Sequence, residues 1–210
     1  YSSAASDVYK RQAVFFLARI LGALYFINNI DDKDLVARSR RSLIGNSVLF
    51  LVFFLSFVIR TLLADGYAVN PETGEVFMEP YKYLTNFIEM PLVLVLFLIG
   101  VVLVLFGIGK SLLKTKFDKG IWFTGIGTVL AVLALLLVAG YNNTAYYPST
   151  NDLQSSLTLA NSCSSQFTLR VMFYVSFLVP FVLAYIFYAW RSIDIHKISE
   201  KEMKDGGHAY

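Results

Sequence analysis

The chain has 210 residues, of which 56% are hydrophobic and only 16% charged, and its mean hydropathy is +0.58. Soluble domains carry roughly 25% charged residues, and one of this size has no interior large enough for so much apolar side chain, so the composition excludes an ordinary soluble domain and points to a membrane protein. The formal charge of +3, with no basic tract interleaved with aromatics, speaks against nucleic acid as a partner.

The first twelve residues, YSSAASDVYKRQ, are polar, begin with Tyr1 rather than Met, and join an apolar run at Ala13 without a turn or cap. They resemble linker-like, non-native sequence and are set aside from fold reasoning, which makes 13–210 the membrane domain and the chain a fragment. Five apolar segments follow, at 13–30, 43–64, 90–109, 121–140 and 169–190. At 1.5 Å per residue, about 20 residues cross a hydrocarbon core of about 30 Å. The first segment is shorter and reads as truncated. With no period-2 pattern in any of them, the backbone can be satisfied in lipid only as helix. The sequence therefore predicts an all-α, polytopic transmembrane bundle with five spanning segments and a polar tail at 191–210.

The connecting loops differ in charge. The 31–42 loop holds Lys33, Arg38, Arg40 and Arg41; the 110–119 loop holds Lys110, Lys114, Lys116 and Lys119; the tail is rich in Lys. The 65–89 loop carries Asp65, Glu72, Glu75, Glu79 and Glu89 against Lys82, and the 141–168 loop carries only Asp152. By the positive-inside rule the first group is cytoplasmic and the C-terminus lies inside. Trp122, Tyr141, Tyr146, Tyr147, Tyr185, Tyr188 and Trp190 fall where interfacial aromatic belts belong.

Other local signals are modest. Gly125 and Gly127 permit close helix approach, although no strict G-x-x-x-G occurs. Asn142-Asn143-Thr144 matches a glycosylation acceptor, a weak three-residue signal. Ser199 to Glu202 reads as a capping box for a short tail helix. Ser165 or Thr168 is expected to cap the last span, and Pro180 to kink it. Pro91 suits a first helical turn. Cys163, the one cysteine, cannot form an internal disulfide and is expected to be a buried or half-buried thiol.

Ionisable groups within spans are costly and mark the places to look for function. Four charges stand out as buried or interface candidates: Arg19, Arg60, Glu89 and Arg170. Arg60 and Arg170 lie near the outer ends of their segments and can snorkel. Arg19 lies mid-segment, where arginine costs roughly 2.5–3.5 kcal/mol, and is expected to face protein and pair with a carboxylate or carbonyl. Glu89 precedes Met90-Pro91; capping the next helix is the simpler account, and pairing with Arg60 or Arg170 the sharper one. No nucleophile–base pair, phosphate loop or C-x-x-C spacing is present. His196 and His208 lie in the tail, so no membrane histidine offers itself to a haem, and Met90 or Met172 would be weak ligands at best. The residues alone give no catalytic, cofactor-binding or metal site.

Longer stretches are more specific. ADGYAVNPETGEVFMEPYKYLTNFIEMPLVLVLF, beginning at Ala64, and AYYPSTNDLQSSLTLANSCSSQFTLRVMFYVSFLVPFVLAYIFYAW, from Ala145 to Trp190, with ISEKEM and a terminal HAY, resemble subunit II of the cytochrome bd-type ubiquinol oxidases. LGALYFINNIDDKDLVARSRRS fits the stretch after that family's fifth helix. The resemblance covers about 13–210, the C-terminal half of such a subunit. It implies a place in a bacterial inner-membrane complex of the aerobic respiratory chain that reduces O2 with electrons from the quinol pool. Haem b and haem d would reside in subunit I, and subunit II would be a haem-free accessory subunit of two four-helix bundles plus a peripheral helix. Some members hold a structural quinone. Acidic residues linked to proton delivery belong to the N-terminal half, so none is carried over. Two other readings stand beside this one: a secondary-transporter fragment, which should show paired broken helices and midplane polar residues, and a membrane scaffold without a redox partner.

Overall fold

The computed structural model describes residues 2–149, 151–193 and 198–199, with side chains for 8–149 and 151–192. It is helical throughout its apolar length. In chain order the elements are α1 (Ser2–Asn29), β1 (Ile30–Asp31), α2 (Lys33–Leu63), β2 (Gly66–Val69), β3 (Val76–Glu79), α3 (Lys82–Glu89), α4 (Pro91–Leu113), α5 (Gly120–Gly140), α6 (Leu159–Ser162), α7 (Gln166–Ser176), α8 (Val179–Ile193) and β4 (Ile198–Ser199). Among the described residues, five stretches are long and apolar enough to cross a membrane: Val8–Asn29, Lys33–Leu63, Pro91–Leu113, Gly120–Gly140 and Gln166–Ser192.

The boundaries differ instructively from the sequence reading. The first helix runs unbroken through the polar N-terminal residues. The second begins at Lys33, ten residues before the expected start, because Asp32 caps it by accepting the N–H groups of Asp34 (2.8 Å) and Leu35 (2.9 Å). Its 31 residues span about 46 Å, more than the hydrocarbon core needs, so the basic 33–42 stretch is a helical extension rather than a loop. Pro91 occupies the first turn of α4, as expected. Pro180 does more than kink the last span: the helix breaks at Phe177–Leu178 and restarts as α8. The N–H groups of Phe177 and Leu178 turn back to Tyr174 and Val175, tight i→i+3 bonds that close α7 before the proline. Ser165 is the N-cap of α7, its Oγ accepting from Thr168 N–H at 3.4 Å. Ser165→Ala is expected to destabilise that helix start by about 1 kcal/mol, read as faster amide exchange at Thr168 with the body of α8 unchanged.

Four spans form the bundle. α1 packs along α2 and α4 along α5, and the two hairpins meet around a core of Ile20, Leu24, Ile27, Leu43, Phe50, Val104 and Ile108. The tightest contact is the α4–α5 seam. Gly100, Val104, Gly107 and Ser111 on one helix and Gly120, Thr124, Gly127, Ala131, Ala134 and Val138 on the other are all buried. These positions alternate in steps of four and three, the spacing of a left-handed helix pair, and small residues let the backbones approach. A β-carbon on Gly100 would fall 2.6 Å from the Ala131 nitrogen, and one on Gly127 2.6 Å from the Gly100 carbonyl oxygen. Gly125, by contrast, faces nothing within 4 Å, so of the two glycines singled out in the sequence only Gly127 serves the interface.

The fifth span stands apart. Every residue from Leu159 to Tyr188 is exposed, and the main packing partner of α7 is α8. Cys163 is exposed as well, contrary to the expected buried thiol, because it ends the short helix α6 on this unpacked segment.

Both ends of the bundle are built. At one end Arg40 ties α2 to the α4–α5 turn, and β1 pairs in parallel with β4, bringing Ile198 and Ser199 to the same end. Of the expected tail capping box, Glu202 lies outside the described residues. At the other end β2 and β3 form an antiparallel hairpin, and Ala68 bridges to Thr144, joining the acidic 65–89 loop to the 141–168 loop.

Candidate functional site

The structure disperses the four charges selected from sequence. Arg19 lies on the exposed side of α1, its guanidinium 5.7 Å from the Phe15 ring centroid. The inner side of α1 is taken by Ala13, Ile20, Ala23, Leu24 and Ile27, and the Phe15 ring four residues earlier offers the cation a partner on the outer side. Arg170 is exposed on α7. Arg60 is exposed in the last turn of α2, where a cation suits the helix dipole. Glu89 does not cap α4. It ends α3, Met90 takes the cap position, and its carboxylate accepts the side-chain amide of Asn142.

That contact belongs to a polar network that the sequence did not single out. Asn86, fully buried on α3, donates its amide to the carbonyl of Val138 and the hydroxyl of Thr144, both at 2.9 Å. Its carbonyl oxygen accepts from Asn142 at 3.0 Å. Asn142 and Asn143 adopt the left-handed conformation (φ 57° and 52°), which asparagine tolerates better than most residues. The turn leaving α5 is thereby locked to α3. The glycosylation-like triplet at 142–144 is consumed by this network: the amide of Asn142 is engaged and Thr144 is buried. Alongside it, the half-exposed carboxylate of Glu79 holds the ammonium of buried Lys82 at 3.2 Å.

Between the two hairpins lies a cavity of about 1000 Å³. Its walls are Leu17, Phe50, Phe54, Val101, Leu105, Ala131, Val132 and Leu135. Its rim at the hairpin end carries Arg60, Thr61, Asp65, Tyr67 and Tyr83. Burial first, and the neighbouring Tyr67 second, push the Tyr83 phenol above its ordinary value, so it remains a neutral donor across the physiological range. An apolar cleft with a few polar groups at one end suits an elongated hydrophobic molecule with a polar head.

Among the described residues the donor set offers a haem no strong ligand. The described residues contain no histidine, His196 and His208 lying outside them. Met172 is exposed on α7 and Met90 sits at a helix cap. Among the described residues no three His, Cys, Asp or Glu side chains gather in a way that could hold a metal.

Fold and site together define a polytopic helical membrane protein. Residues 11–193 match the model of the cytochrome bd terminal oxidase subunit II family, and the chain belongs to that family. It is 32% identical over 136 residues to cytochrome bd-I ubiquinol oxidase subunit 2 of Escherichia coli strain K12, a match covering 64% of this chain and 34% of that protein. The same protein from the O6:H1 and O157:H7 strains matches equally. The matched region thus spans about a third of the length of these relatives.

Proposed function

We propose that this chain is a haem-free accessory part of a membrane quinol:O2 oxidoreductase, supporting a subunit I that holds haem b and haem d. The family match over 11–193 carries the reading. It is supported by the lack of a histidine among the described residues and by an exposed fifth span whose apolar surface the bundle leaves uncovered. On this reading Arg19 and Arg170 serve contacts with other subunits, and Arg60 and Glu89 order the outer face. The basic end faces the cytoplasm, the acidic end faces outwards, and the protein resides in a bacterial inner membrane. A structurally held quinone would find a fitting volume in the cleft between the hairpins, with its head at Arg60 and Tyr83.

The experiment is affinity purification of the full-length protein in mild detergent. The expected result is a co-purifying chain and the absorbance bands of b- and d-type haem. A solubilised complex without haem bands overturns the assignment and returns weight to a scaffold. The transporter reading gains nothing from the single break at Pro180, since paired broken helices are its mark.

A further inference from the structure

We propose that the basic end of the bundle is a docking surface for anionic phospholipid headgroups, built by the helical extension of α2 and the α4–α5 turn. The surface is a constructed one. Arg40 points inward and its guanidinium donates to the carbonyls of Ser111, Lys114 (3.3 Å), Thr115 (2.8 Å) and Phe117 (3.3 Å). Those are carbonyls at the end of α4 and in the turn beyond it, groups that a helix terminus leaves without internal partners. One side chain therefore fixes the turn against α2 and satisfies it. Lys110 is held in turn between the rings of Phe106 and Phe117, 4.8 and 4.5 Å from their centroids.

With Arg40 directed inward, the remaining cations face out. Arg38 and Arg41 sit three residues apart on one face of α2 and are exposed; Lys114, Lys116 and Lys119 are exposed on the turn. Asp31 and Asp34 lie nearby, and Asp118 lies in the turn itself; together they offset part of this charge, while Asp32 is engaged as the α2 cap. The opposite end of the bundle carries the acidic 65–89 loop, so the positive charge is concentrated here.

Lipid, rather than a soluble anion, is favoured by what lies beneath the cations. α2 continues without a break from Arg41 into exposed Ile44, Val48 and Leu49, and Trp122 opens α5 with half its surface exposed. A ligand meeting the cations and this surface together carries a phosphate on an acyl body. The inference concerns residues 33–49 and 106–122 alone and stands independently of the oxidase reading.

The two tryptophans, Trp122 and Trp190, allow a direct test. In a Trp190→Phe background, the full chain is reconstituted into phosphatidylcholine vesicles containing a small fraction of brominated phosphatidylglycerol or brominated phosphatidylcholine. Quenching of Trp122 reports which lipid sits at this end. The expected result is an enrichment of the anionic lipid of about fivefold or more, as a handful of cations near the surface would give, falling towards unity in Lys114→Gln/Lys116→Gln/Lys119→Gln and in high salt. Equal quenching by brominated phosphatidylcholine in both proteins establishes equal insertion. Equal quenching of the unmodified surface by the two lipids overturns the proposal. So does displacement of the lipid by inorganic phosphate far beyond that by chloride at matched ionic strength, which would mark a small-anion site.

Discussion

Gly127→Leu is expected to separate α4 from α5, while Gly125→Leu, two residues away on the same helix, leaves the hairpin intact. The physical difference is what a side chain would meet. At Gly127 a β-carbon alone would lie 2.6 Å from the Gly100 carbonyl oxygen and 2.8 Å from the Val104 nitrogen. Both obstacles are backbone, so no rotamer change relieves them, and the helices must move apart along a seam that continues through Gly107 and Gly120. Overpacking a core that can yield costs about 1–3 kcal/mol; backbone against backbone belongs at or above the top of that range. At Gly125 nothing lies within 4 Å, and replacing glycine within a helix gains a few tenths to about 1 kcal/mol in propensity. Unfolding of each variant in detergent by titrated denaturant, followed by far-ultraviolet circular dichroism, checks the pair. Equal midpoints for the two variants would show that the seam is not the contact holding this hairpin.

The same seam shows what was legible in the sequence and what was not. Spanning segments announce themselves by length and apolarity, because a bilayer imposes both, and the alternation of basic and acidic connections matched the two ends that the fold builds. The seam was hidden because a search for G-x-x-x-G looks for one crossing geometry. The steps of four and three that link Gly120, Thr124, Gly127, Ala131, Ala134 and Val138 encode the other. The start of α2 was missed for a related reason: charge stopped the apolar count at 43, whereas the helix begins where Asp32 caps it. Charge also drew attention to Arg19, Arg60, Glu89 and Arg170, since burying charge is costly. The side chains that organise the acidic end are instead uncharged asparagines, whose pairing depends on three segments meeting in space. The family resemblance needed none of this geometry and was carried by the loop residues between Ala64 and Phe97 and between Ala145 and Trp190.

Replacing one of those asparagines should have a large effect. Asn86→Leu keeps the number and branching of side-chain heavy atoms but removes two donated bonds and one accepted bond, all at a buried position. Each buried group left without a partner costs about 1–3 kcal/mol. Thr144 can fall back on its bond to the Asn142 carbonyl (3.2 Å), so the net loss is expected near 3 kcal/mol rather than the full sum. The damage should be local to the acidic end. The N–H of Val69, bonded to Asn143 at 2.8 Å, and that of Ala145, bonded to Tyr67 at 2.9 Å, should exchange with solvent markedly faster, while amides near Leu24 and Ile108 keep their protection. Asn142→Ala removes the neighbouring amide, and the two substitutions together should cost at least 1 kcal/mol less than the sum of the separate costs, since they break one network. Glu89→Gln retains an acceptor for Asn142 and is expected to be mild. If Asn86→Leu and Asn142→Ala instead add to within about 0.5 kcal/mol, the two asparagines act separately and the joint between α3 and the end of α5 is held by apolar packing around Phe87 and Val138.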